Sequence, residues 1–242
     1  MPWRPSAAAL VSGLMAHNII VHRLLPGRAE LPAKLAFAGA ATLLARRAGA
    51  TWAELGLSRL TAGHGLRVGL VAGGSMAAAV VGAAAWPATR ASFDDPRARG
   101  VSAADAGWQL LVRIPLATAL HEEVVFRGVL PVVLGRALGR RRGQLASAGL
   151  FGLWHVLPTL DLTRGNAAAA TVATGWGRAP AALAAVLLTA ASAPAFAALQ
   201  RHSGSVLAPT VAHAALNDAA YLAGLLVAHR SRLAARGRRG GQ

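Results

Sequence analysis

Residues 106–138 read AGWQLLVRIPLATALHEEVVFRGVLPVVLGRAL, an almost unbroken apolar run that nevertheless carries Arg113, His121, Glu122, Glu123, Arg127 and Arg136. A bilayer crossing takes ~20 predominantly apolar residues. The run is too long for one simple crossing. It is a long tilted helix, a helix kinked at Pro115 or Pro131, or two elements. A charge at mid-membrane costs about 2.5–3.5 kcal/mol even on insertion scales, so the acids and arginines inside it need a reason to be there.

The rest of the chain reads the same way. It has 242 residues, 55% hydrophobic and only 14% charged, with a mean hydropathy of +0.45. Soluble domains run near 45–50% apolar and about 25% charged, so a disordered chain is excluded and an ordinary soluble domain disfavoured. Further apolar stretches fall at about 6–25, 31–50, 65–86, 144–160, 180–199 and 205–228, each bounded by Arg, Pro or Asp. In lipid every backbone polar group must be satisfied within the segment, so these are helices. The expected fold is all-α, a polytopic integral membrane bundle of about seven to eight transmembrane helices.

Three regions divide it: residues 1–104, membrane helices and loops without a motif; residues 105–228, the core that carries the motifs; and residues 229–242, a basic tail expected to be disordered. The polar stretches 87–105 and 161–178 read as solvent loops. Trp52–Ser58 is a candidate interfacial segment. The N-terminus runs into a first span with no small-residue cleavage site, so it is no removed signal.

The net charge of +16 invites a nucleic-acid reading. The basic residues, however, come in short clusters between apolar runs, which suits loops beside anionic headgroups. The bilayer, not nucleic acid, is the expected partner. Lys34 is the one lysine among 25 basic residues, a compositional bias toward Arg that fits a GC-rich bacterial genome. There is no cysteine, which excludes disulfides, thiolate catalysis and Cys-ligated metals. The positive-inside rule puts the loop with Arg140, Arg141 and Arg142 in the cytoplasm. It also puts the basic tail there, yet three spans separate the two. The short loop carries more weight.

Most acids sit in loops or at span ends: Glu30, Glu54, Asp94, Asp95, Asp105 and Asp161. Glu122, Glu123 and Asp218 lie within apolar runs, as do His17, His121, His155 and His213. In Ala119–Gly128, Glu123 and Arg127 are i, i+4 with the acid N-terminal, the favourable order for an ion pair. Glu122, about 100° round the helix, is left as the acid with free chemistry. Gly128 admits close approach of another helix. The second group is Phe151-Gly-Leu-Trp-His155. The third is His213-Ala-Ala-Leu-Asn217, whose two polar side chains share a face, with Asp218 pointing elsewhere. A carboxylate, two imidazoles and an amide on three spans form a set suited to water activation. Glu122 is the candidate base, His155 positions or polarises the water, and His213 and Asn217 donate to a developing oxyanion. These four are expected around one polar cavity.

Glu122-Glu-x-x-x-Arg127, Phe151-x-x-x-His155 and His213-x-x-x-Asn217, in that order on successive spans, resemble the CPBP family of CAAX-protease and bacteriocin-processing intramembrane endopeptidases, also called Abi. Phe126-Arg-Gly128 and Gly204-Ser-Val-Leu-Ala-Pro209 agree in context. The resemblance covers about residues 120–220. It implies a glutamate-dependent protease in which Glu122 and His155 activate water, His213 and Asn217 stabilise the oxyanion, and Glu123 and Arg127 organise the site. Glu122, His155 and His213 are a conceivable zinc set, but there is no HExxH, and no cofactor is expected. The Ala/Arg-rich composition points to a bacterial cytoplasmic membrane, where prenylated substrates are not expected. The substrate is then a peptide or membrane-protein segment. The rival readings are a non-catalytic immunity or binding protein of the same fold and a proton-relay transporter. No inverted repeat supports the transporter.

Overall fold

In the computed structural model, residues 3–94, 98, 100–165 and 178–239 are described. Among them there is no strand, and eight helices account for the fold. Helix α1 spans Trp3–Ile19 and continues in wider turns over Ile20–Leu24. Helix α2 is Gly27–Arg47 and α3 is Ala62–Ala85. The run that opened the sequence analysis is one unbroken rod, α4, composed of Ala103–Trp108, Gln109–Leu120, His121–Glu123, Val124–Val129 and Leu130–Leu138. Helices α5 (Arg140–Trp154), α6 (Val156–Gly165), α7 (Arg178–Ser203) and α8 (Leu207–Arg239) complete the bundle.

The rod accommodates its prolines by widening. Pro115 lies inside Gln109–Leu120, where hydrogen bonding runs i→i+5, and Pro131 follows the second such segment, Val124–Val129. Proline has no N–H to donate, and its ring crowds the carbonyl four residues back. A wider turn relieves both, and such turns gather at functional sites. Between the two wide segments, one α-helical turn presents His121, Glu122 and Glu123.

Several expectations shift. The stretch 144–160 breaks at His155 into α5 and α6, and α6 carries helix through Gly165, into what read as a loop; residues 166–177 lie outside the described residues. The polar stretch 87–105 contains helical turns at Pro87–Arg90 and Ala91–Phe93 and the start of α4. The tail from 229 was expected to be disordered, but α8 continues to Arg239. No proline follows Pro209 in its first turn, and Ala, Leu and Arg are strong helix formers. Residues 240–242 lie outside the described residues.

Three helices are long and apolar enough to cross a membrane among the described residues: Trp3–Leu24, Arg59–Ala85 and Leu207–Arg230. Seven to eight were expected. Helix α5, with 15 residues, and α6, with 10, fall short of a bilayer's thickness. Helix α2 brings Arg28, Glu30, Lys34, Arg46 and Arg47, and α4 brings Arg113, Glu122, Glu123 and Arg127.

Small residues set the packing. On α3, Gly65, Gly69 and Gly73 form one face against α8 and the loop before it. A Cβ on Gly69 would lie 2.8 Å from the Ala208 carbonyl oxygen, and one on Gly73 2.9 Å from the Ala215 Cβ. The opposite face of α3 exposes Leu66, Leu70, Val71 and Val81, as suits contact with acyl chains. Helices α4 and α5 form a hairpin through Gly139, whose φ of +90° a side chain would oppose. Gly128 does admit a close neighbour, but a loop, not a helix: the Leu55 carbonyl oxygen would sit 2.9 Å from an added Cβ. Leu55 is fully buried within Trp52–Ser58, and Gly56 O accepts from Val206 N at 2.9 Å. The main core joins α1, α2, α4 and α5 around Leu14, Val129, Leu130 and Trp154.

Gly69→Leu should therefore lower stability by about 1–3 kcal/mol through overpacking. Gly74→Leu, with nothing within 4 Å of an added Cβ, should be near neutral. Thermal unfolding of the purified protein in detergent compares the two.

Candidate active site

The acidic turn of α4 is buried on every side: Glu122 is 4% exposed and Glu123 0%. The two carboxylates take different partners. Glu122 Oε1 accepts a hydrogen bond from Trp154 Nε1 at 3.1 Å. Its other oxygen, Oε2, lies 3.8 Å from His155 Nε2 and has no hydrogen-bond partner among the described residues. His155 Nδ1 is 2.8 Å from the Phe151 carbonyl oxygen. A carbonyl only accepts, so Nδ1 carries the proton, and Nε2 of the neutral ring presents a lone pair. Two acceptors thus face each other across 3.8 Å. They suit a molecule that donates two hydrogen bonds, and water is the smallest such molecule.

Glu123 faces the other way. Its Oε2 lies 3.1 Å from Arg127 Nε, the i, i+4 pair expected from the sequence, and its Oε1 accepts from His213 Nδ1 at 2.8 Å. The Arg127 guanidinium lies 3.9 Å from the Phe151 ring centroid and 5.3 Å from that of Phe196, so ring faces supply part of its environment. His213 is therefore not a free neutral donor, as the sequence reading had it. With Nδ1–H given to Glu123, its Nε2 donates only when the ring carries a second proton.

One cavity of about 450 Å³ is lined by Glu122, His155, His213 and Asn217 together, from α4, the α5–α6 break and α8. Residues up to 95 apart in sequence (217 − 122) share this wall. Glu123 and Arg127 do not line it, and neither does Asp218. The break at His155 turns its ring into the cavity.

The same cavity holds groups that the sequence reading placed elsewhere or passed over. Glu30, read as a span-end acid, lies in the first turn of α2 and pairs with Lys34 at 2.7 Å and Arg113 at 2.8 Å. The i, i+4 spacing of Glu30 and Lys34, and the solitary lysine itself, were the available signals. Trp154 stood inside a quoted motif without a role. Its indole holds Glu122, its backbone oxygen accepts from Asn18 Nδ2 at 3.1 Å, and Lys34 Nζ lies 5.9 Å from its ring centroid. His17 and His121 are buried in an aromatic cluster with Phe37 and Trp154, away from the cavity wall. Among the described residues, no group of three or more His, Asp and Glu side chains is placed to hold a metal ion.

Glu123→Gln leaves Arg127 buried beside a neutral partner and weakens the tether on His213. The expected result is a loss of roughly 3 kcal/mol, read as a lowered unfolding temperature in detergent. Asp218→Asn, outside the cavity, should leave that temperature almost unchanged.

Residues 104–218 match the family model described as type II CAAX prenyl endopeptidase Rce1-like. That interval begins at the N-terminus of α4 and ends one residue past Asn217, so it contains all three motifs. Neither the curated proteins nor the solved structures include a match to the chain. With three helices apt to cross a bilayer, the chain is an integral membrane protein. Over residues 104–218, the chain is similar to the Rce1-like family of type II CAAX prenyl endopeptidases, a protease family.

Proposed function

We propose that this protein is a glutamic intramembrane endopeptidase, hydrolysing a peptide bond of a membrane-associated peptide or protein with water activated between Glu122 and His155. The observation that carries the reading is the pair of facing acceptors, Glu122 Oε2 and His155 Nε2, 3.8 Å apart on the wall of one cavity. A water donating to both has its own lone pairs free to attack. As its oxygen bonds to the scissile carbonyl carbon, one proton passes to Glu122. The carbonyl π-electrons move to the oxygen, and the oxyanion accepts hydrogen bonds from the Asn217 amide and from His213 Nε2–H in the imidazolium form held by Glu123. When the tetrahedral species collapses, the C–N bond breaks. The proton on Glu122 goes to the leaving nitrogen, and Glu122 is restored as a carboxylate. Trp154 fixes the carboxylate rotamer by holding Oε1, which keeps Oε2 toward the cavity.

No step draws on a metal. The bundle as a whole, with its eight helices among the described residues, sits in a bacterial cytoplasmic membrane. Arg140, Arg141 and Arg142, at the α4–α5 turn, mark the cytoplasmic end.

Wild type reconstituted with a fluorogenic peptide library should cleave, and Glu122→Gln should not, while both unfold at the same temperature. Full activity in Glu122→Gln overturns the general-base assignment. Uptake of the peptides without cleavage by either protein returns the reading to a binding or immunity protein. Asn217→Ala should keep substrate affinity and lose about 100- to 1000-fold in turnover, the usual cost of one oxyanion donor. Activity should survive dialysis against EDTA. Near-stoichiometric zinc, with activity lost on its removal and regained on its return, would favour metal-assisted hydrolysis instead.

A further inference from the structure

A second cavity, of about 260 Å³, lies between α5 and α7 with α4 as its floor, and it shares Phe151 with the first. Its walls are mostly apolar, with Leu145 and Ala148 of α5 and Ala197 of α7, and include the polar Gln144, Ser147 and Gln200. Its charged lining is of one sign: Arg127 in the floor and Arg141 and Arg201 at the rim, with no acid. Arg141 and Arg201 are exposed, and among the described residues neither makes an ion pair. Arg127 is 4% exposed; although Nε faces Glu123, its Nη1 and Nη2 have no hydrogen-bond partner among the described residues. Buried guanidinium N–H groups of this kind call for an acceptor. The rim arginines lie at one end of the bundle, Arg141 in the first turn of α5 and Arg201 in the last turn of α7.

We infer that this groove is a binding site for an anionic phospholipid. The headgroup phosphate sits between Arg141 and Arg201, its glycerol ester oxygens reach toward Arg127 in the floor, and an acyl chain lies along Leu145, Ala148 and Ala197. Charge complementarity selects the headgroup, and the apolar walls select the chain. A basic mouth between membrane helices is the general form of such sites. Polar acceptors of the bound lipid fall nearest to Arg127, whose Nε side braces Glu123 and, through it, His213. Lipid binding of this kind stands whether or not peptide hydrolysis is the activity.

The test is native mass spectrometry of the full-length protein after incubation with equal amounts of phosphatidylglycerol and phosphatidylcholine in detergent. Phosphatidylglycerol should be retained over phosphatidylcholine by about tenfold or more, the scale of two arginines acting on one anionic headgroup. The double variant Arg141→Gln/Arg201→Gln should lose this preference. Arg140→Gln/Arg142→Gln, which removes equal charge from neighbours outside the groove, should keep it. Leu145→Trp, which fills the groove and leaves every charge in place, should also lose retention, and it decides the matter if the double arginine variant does not fold. Equal retention of the two lipids overturns the inference. So does an equal loss in the Arg140/Arg142 control, which would mean diffuse surface attraction. Complete displacement of the lipid by inorganic phosphate would also overturn it, marking a small-anion site.

Discussion

Glu123 is the point on which the site depends. It is fully buried, and a carboxylate there is tolerable only because Arg127 lies one helical turn along and His213 reaches it from another helix. The two contacts have different consequences. The Arg127 pair neutralises charge within α4. The His213 contact ties α4 to α8, and it decides which nitrogen of the imidazole carries a proton. Tying His213 through Nδ1 leaves Nε2 as the ring's remaining functional atom. Asn217, one turn further along α8, reaches the same cavity wall.

This polar centre needs helices that approach one another closely. The glycine face of α3 lets that helix lie against the backbone of α8, and the Gly139 turn folds α5 directly back on α4. The loop between α2 and α3 completes the enclosure, with Leu55 inserted against Gly128 and Gly56 bonded to Val206. Arg136 pairs with Glu54 of the same loop. Backbone approach at small residues thus adds to the packing of large apolar side chains in the core.

Two cavities flank the Arg127–Phe151 contact. The larger has both acidic and basic groups on its wall, among them the Glu30–Lys34–Arg113 cluster. The smaller carries arginines alone among its charged groups. Arg127 lines the smaller one: Nε turns toward Glu123, and the guanidinium lies against the rings of Phe151 and Phe196. Phe151 lines both cavities, so a change at either meets the same ring.

Much of this could be read from the amino-acid sequence. Helix positions follow from apolar runs bounded by Arg, Pro and Asp. The Glu123–Arg127 pair follows from i, i+4 spacing, and the separate fate of Glu122 from its place one residue back. The shared face of His213 and Asn217 is likewise local geometry, set by the helical repeat. What lay beyond the sequence was everything that depends on distance between segments. That Trp154 holds Glu122, that Lys34 and Glu30 of α2 join the cavity, and that His213 is tethered by Glu123 are contacts across 32 to 90 residues or more. No periodicity encodes them. The continuation of α8 past the basic boundary is a different case: local helix propensity of Ala, Leu and Arg carries it where charge alone predicted disorder. Local spacing determines which way a side chain leaves its own helix. Only the packing of one helix on another decides what it meets there, because that partner is chosen by shape and burial over the whole bundle.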